Sequence, residues 1–236
     1  MTDEEYLDQI SKIEIYCEIL LGFLRYTRVR NYEDENSYKE ILNRNLKFKN
    51  NDDHLRLRSC IDLIEDTQLA INEVYENGLS EYNDNNYGER YLKLYGVLNA
   101  VYQQKQATME LIELFKTPPK KITNKELNSL KIIDLRNKVG AHTSNHLSEN
   151  EKVDAFRLTR TTVTKWADNL TIVSSYDELE EFDLVPLMRE FTIKIELILD
   201  NICNKGLKSL FPNNSELKDW MVFRLEYVRD KKTAEQ

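Results

Sequence analysis

Residues 134–146, "DLRNKVGAHTSNH", hold the side chains of this chain best suited to moving a proton beside an anion. They include Arg136, Asn137 and two of the three histidines, His142 and His146. A histidine of ordinary pKa gains and loses its proton near neutrality, so His142 can serve as a general acid or base. An arginine presents a planar fork of donors that matches a phosphate and the charge that builds on it during transfer. A plainer use competes with this chemistry: a cation near a helix C-terminus offsets the dipole and bonds the last carbonyls, and histidines in a loop are simply solvated.

The elements that must position these groups follow from apolar spacing. Leu127, Leu130, Ile132, Ile133, Leu135 and Val139 recur so that "TNKELNSLKIIDLRNKV" reads as one helix, with Thr123 or Asn124 as its cap and Gly140 at its end. On that helix Lys131, Asp134 and Lys138 form one polar stripe facing solvent, and Arg136 points roughly the opposite way. An arginine turned inward needs a partner, because an unpaired buried guanidinium is costly. A carboxylate, a neighbouring subunit or a phosphate would each serve. On a continuous helix Arg136 and His142 stand about 120° apart. A break at Gly140 lets His142 sit in a turn beside the helix end, and convergence across a two-fold axis is equally compatible.

The rest of the chain is read in the same way. "DEEYLDQISKIEIYCEILLGFLRYTRVR" is one helix begun by Thr2 or Asp3, and "HLRLRSCIDLIEDTQLAINEVYENG" is a second, stopped by Gly78. "YGERYLKLYGVLNAVYQQKQATMELIELF" is a long helix ended by Pro118-Pro119. "AFRLTRTTVTKWADNLTIVSS" alternates and is rich in Thr and Val, which predicts a β-hairpin interrupted at 167–169. Two more helices follow, the first ended by Gly206. The expected fold is mainly α, an antiparallel helical bundle with a β-hairpin inserted after the Arg–His stretch. One domain over 1–236 is expected, with the bundle core at about 53–146, the hairpin at about 155–175 and the C-terminal helices at about 183–230.

With 236 residues, 41% apolar and 31% charged, the chain can bury a real core, which excludes a disordered or fibrous protein. No apolar run approaches eighteen residues and the start, MTDEEYLDQI, is acidic, so neither a membrane span nor a signal peptide is expected and a cytoplasmic protein is. Cys17, Cys60 and Cys203 lie far apart without a CxxC spacing, which predicts reduced, mostly buried thiols. A net charge of −8 argues against a protein that coats nucleic acid, though a local basic pocket for one strand is compatible with it. No cofactor is expected, since no glycine loop for phosphates is present. No metal is expected either: His142 and His146 have the i, i+4 spacing of zinc ligands but lack a neighbouring glutamate and a third ligand.

"LRNKVGAH" resembles the signature of HEPN domains, in which an Arg, a polar residue and a few further positions lead to a His. The matching positions here are Arg136, Asn137 and His142. The long helix before it looks like the third helix of one bacterial branch of that superfamily, departing from it at Gln106, where an acidic residue is common. The likeness covers residues 86–146; the remaining segments match only in being mostly helical. It implies a helical bundle that forms a homodimer with two Arg–His motifs facing one another, and a metal-independent endoribonuclease with Arg136, Asn137 and His142 as catalytic residues. It further implies RNA as substrate, an antitoxin or defence-system protein as a possible partner, and a role as a toxin or in defence against phage. Many such domains instead bind a nucleotide or a protein without cutting, which is the alternative. Lys131, Lys138, Lys120 and Lys121 lie near the motif in sequence and are candidate RNA-binding residues if they line one cleft.

Overall fold

The computed structural model describes residues 2–26, 40, 43–44, 46–50, 52–81, 86–140, 146–147, 153–210 and 216–231. The protein is mainly helical, with a small antiparallel sheet inserted between helices. Eight α-helices are present among the described residues: α1 (Asp3–Gln9), α2 (Lys12–Tyr26), α3 (Asp53–Asn77), α4 (Tyr87–Phe115), α5 (Lys120–Asn128), α6 (Lys131–Gly140), α7 (Leu184–Leu210) and α8 (Glu216–Asp230). None of them is long and apolar enough to cross a membrane. Residue contacts gather into two compact units, one of Met1–Asp66, Gln106–Thr123 and Ile195–Gln236, the other of Thr67–Lys105 and Asn124–Lys194.

The first unit opens with a helix that the apolar spacing alone runs together with the next. Thr2 accepts a hydrogen bond from the Glu5 N–H at 3.2 Å while the Glu5 carboxylate accepts from the Thr2 N–H at 2.7 Å, a capping box. Ser11 and Glu14 repeat the device: the Glu14 N–H reaches the Ser11 hydroxyl at 3.3 Å and the Ser11 N–H reaches the Glu14 carboxylate at 2.8 Å. A second cap so soon after the first, with Ile10 in an extended conformation between them, splits the expected single helix into α1 and α2. Ile13, Ile19, Leu20 and Phe23 of α2 are fully buried, and the helix packs along α8. Gly206, expected to end its helix, lies instead inside α7, where a Cβ would come within 2.5 Å of the Phe23 ring. It is a glycine of close packing, not of termination.

In the second unit Gly78 does end α3, with φ at +68°, and the next N–H, that of Leu79, donates to the Lys165 carbonyl at 2.6 Å. The helix expected over 123–139 is two: α5 starts earlier, at Lys120, and breaks at Ser129, whose hydroxyl donates to the Glu126 carbonyl at 2.8 Å. Thr123 is thus inside α5 and no cap; its hydroxyl donates back to the Pro119 carbonyl at 3.1 Å.

Strands β1 (His146–Leu147) and β2 (Val153–Asp154) pair antiparallel. A separate antiparallel sheet has the order β3 (Arg157–Leu158), β4 (Leu170–Val173), β5 (Leu179–Phe182), with Leu158 opposite Ile172 and Leu170 opposite Phe182. The hairpin is therefore present but its first strand is short. The threonines after it turn to the backbone: Thr162 Oγ1 donates to the Thr159 carbonyl at 2.8 Å and accepts the Thr171 N–H at 2.9 Å, while Thr164 Oγ1 accepts the Ala167 N–H at 3.0 Å. Hydroxyls that satisfy backbone groups locally replace a ladder with a turn. The third strand, "LEEF", has two glutamates in four residues and no apolar alternation to announce it.

Candidate functional site

Helix α6 buries Ile132, Ile133, Leu135 and Val139, and the spacing of those four sets the direction of everything else on it. Arg136 leaves this core face partly exposed and lies over the ring of Tyr102 on α4, its guanidinium carbon 3.9 Å from the ring centroid. An arginine over a tyrosine face is held by the ring quadrupole without losing its hydrogen-bonding edge. One of its terminal nitrogens donates to Asn137 Oδ1 at 3.2 Å. Among the described residues no carboxylate pairs with Arg136. Asn137 therefore steadies the arginine.

One turn along α4 from Tyr102 stands Lys105, a residue that local spacing does not single out. It is buried, its ammonium nitrogen is 5.5 Å from the same Tyr102 centroid, and it donates to Asn128 Oδ1 at the end of α5. Asn128 is in turn oriented by its own amide, which donates to Asn124 Oδ1 at 3.2 Å. Burial pushes the Lys105 pKa down, and the positive charge of Arg136 pushes it further the same way. The lysine and arginine are thus close enough to feel each other, on one tyrosine, with only neutral oxygens as hydrogen-bond partners among the described residues. An anion placed between them would relieve both the repulsion and the desolvation.

Comparison of the chain with protein-family models, curated proteins and solved structures finds no match.

His142 lies outside the described residues, so the Arg136–His142 geometry is not part of the structure. Helix α6 is described as far as Gly140, where an added Cβ would stand 4.0 Å from Arg136 Nε. The second histidine, His146, is opposite Asp154 in the β1–β2 pair. No group of three or more His, Cys, Asp or Glu side chains that could hold a metal occurs among the described residues.

The four lysines proposed for RNA are differently placed. Lys131 is exposed at the start of α6. Lys138 is not on an open stripe: its ammonium donates to both carboxylate oxygens of Glu180 on β5, at 2.7 and 2.6 Å, pairs with Asp134 at 2.8 Å, and faces the rings of Phe156 and Phe182. Although burial pulls its pKa down, hydrogen bonds to Asp134 and Glu180 outweigh this and raise it. This lysine fastens α6 to the sheet. Lys120 and Lys121 belong to the other compact unit, where Lys120 pairs with Glu113 and Lys121 is exposed.

Proposed function

We propose that the protein is an endoribonuclease that works without a metal, in which Arg136 binds the scissile phosphate and His142 carries the proton. The observation that supports this most is the pair of cations on Tyr102, an arginine and a buried lysine that share a ring and have no carboxylate between them among the described residues. A structural arginine would be expected to end on a carboxylate; one held ready by an aromatic face and an asparagine suits a phosphodiester. The resemblance of "LRNKVGAH" to HEPN domains points the same way.

In this reading the RNA 2′-oxygen attacks the adjacent phosphorus as its proton leaves, and the bond from phosphorus to the 5′-oxygen breaks as that oxygen gains a proton. His142 gives or takes one of these protons. Arg136 and Lys105 balance the charge that grows on the phosphoryl oxygens. The products are a 2′,3′-cyclic phosphate, or its opened form, and a 5′-hydroxyl. A homodimer would supply a second Arg136–His142 pair to the same strand. A toxin or a phage-defence protein acting on RNA is the cellular role that fits.

The test is incubation of purified protein with total RNA in EDTA, beside the His142→Ala and Arg136→Ala variants. Cleavage that survives chelation, leaves 5′-hydroxyl ends and disappears in both variants is expected. A wild-type protein that leaves RNA intact, or cuts only with added metal, would remove the reading. Size-exclusion with light scattering tests the composite site, which a strict monomer could not form.

A further inference from the structure

The unit that does not contain Arg136 holds a cavity of about 420 Å³, within the size range of small-ligand sites. Its walls come from the turn before α3, the first turn of α3, the end of α4 and the start of α5. Five basic side chains line it against two carboxylates, on a chain whose net charge is −8. Two of the five are already matched. Arg56 is held by Asp53 at 2.9 Å and by Glu110, and Lys120 by Glu113. The other three, Lys47, Lys49 and Lys116, are exposed and make no ion pair among the described residues. The wall between the charges is apolar, formed by Ile112, Leu114 and two prolines, so the lysines face a surface of low polarizability instead of open water alone.

Two of these lysines also stand where a lysine is not the natural choice. Lys47 has φ at +55° and Lys116 at +53°, a backbone region that favours glycine. Strain tolerated at two positions on the wall of one cavity, each bearing an unmatched ammonium, is more readily understood if the side chains are used there.

We propose that this cavity is a binding site for a ligand carrying two or more linked phosphoryl groups, recognised by Lys47, Lys49 and Lys116 with Arg56 fixed behind them. Such a group spreads several negative charges over a few ångströms, which three separated ammonium groups match better than they match a single carboxylate. The ligand is either a nucleoside di- or triphosphate or an inorganic polyphosphate. The site is independent of the ribonuclease reading and stands or falls without it.

The strained lysines provide the test, because Lys47→Gly and Lys116→Gly remove charge while relaxing the backbone. Thermal unfolding is followed in millimolar pyrophosphate, in millimolar ADP, and in sodium chloride of equal ionic strength. The wild type is expected to gain several degrees with pyrophosphate or ADP beyond the chloride control. The doubly substituted protein is expected to be at least as stable as the wild type without ligand and to lose that gain, whereas Arg136→Ala keeps it. A larger gain with ADP identifies the nucleotide as the source, and equal gains identify the bare polyphosphate. Absence of any gain over chloride overturns the proposal, and so does a gain that survives in the double variant or vanishes in Arg136→Ala.

Discussion

Two arginines of this protein lie over aromatic rings at almost the same distance and end in opposite surroundings. Arg224 on α8 is 3.8 Å from the Trp220 centroid, is buried, and donates to Glu18 at 2.8 Å and to Asp3 at 3.4 Å. Arg136 is 3.9 Å from the Tyr102 centroid, is partly exposed, and has only Asn137 as a hydrogen-bond partner among the described residues. The first is closed: ring, two carboxylates and burial consume it, and it ties α8 to α1 and α2. The second has the same support from a ring but a second cation, Lys105, where the first has carboxylates. Aromatic stacking alone therefore does not separate the two arginines. The sign of the neighbouring charge does.

Arg136→Ala is expected to cut RNA cleavage by about a hundredfold or more, the scale of a lost donor to a transition-state oxyanion, with stability changed by no more than about 1 kcal/mol. Arg136→Lys restores little of that rate, because an ammonium lacks the planar fork. Arg224→Ala is expected to do the reverse. It removes the cation from Glu18, which keeps the Tyr6 hydroxyl, and from the largely exposed Asp3, and costs about 2 kcal/mol in urea unfolding, while cleavage per folded molecule stays the same. If Arg136→Ala unfolds the protein as readily as Arg224→Ala, the two arginines are of one kind and the phosphate role is lost.

Only the phase of Arg136 was legible in the chain, set apart from Lys131, Asp134 and Lys138, because the phase of one helix depends only on residues a few positions away. Mainly helical structure, the stop at Gly78 and the stop before Pro118-Pro119 were legible for the same reason. The stripe expected to face solvent is closed at Lys138 by Glu180, and Arg136 is partly exposed instead of turned inward. The split at Ser11 was also written locally, as a Ser-x-x-Glu that follows the Thr-x-x-Glu at Thr2, and apolar periodicity overrode it. Lys105 and Tyr102 were not legible. They meet Arg136 only because α4 and α6 pack together, and no spacing within either helix records that. Lys138 shows the same limit from the other side: its partner Glu180 sits on a strand too short and too acidic to be recognised.

Lys105 is the neighbour that sets Arg136 apart from Arg224. Its pKa is lowered by burial and then by Arg136, so in the folded protein it releases its proton below 10.5, the ordinary lysine value. Between the lowered value and 10.5 the unfolded chain holds more protons, and stability from this group rises with pH. Below that window the charged lysine is a burden. Lys105→Met is therefore expected to weaken RNA binding about tenfold and yet to be destabilised less than loss of its hydrogen bond implies. Its stability relative to wild type should fall as pH is raised from 8 towards 10.5, read by urea unfolding at each pH. A difference that does not move with pH would mean that neither burial nor Arg136 burdens the charged Lys105.

Lys138 should show the smallest effect and the opposite slope. Its pKa is raised, because the hydrogen bonds to Asp134 and Glu180 more than offset burial. A lysine with a raised folded pKa contributes stability that is fully present below 10.5 and is lost only as pH climbs through the higher folded value. Glu180 and Asp134 are both nearly half exposed, which screens the pair and limits its worth to about 1 kcal/mol. Lys138→Met, which keeps the apolar contact with Phe156 and Phe182, is expected to lose that amount at pH 8, to lose less at pH 11, and to leave RNA cleavage unchanged. Two lysines on neighbouring helices of one unit would then respond to alkali in opposite directions, because one is matched by carboxylates and the other has a cation for a neighbour. If Lys138→Met instead lowers cleavage at constant stability, its charge serves RNA, and the division between closed and open cations must be redrawn around Glu180.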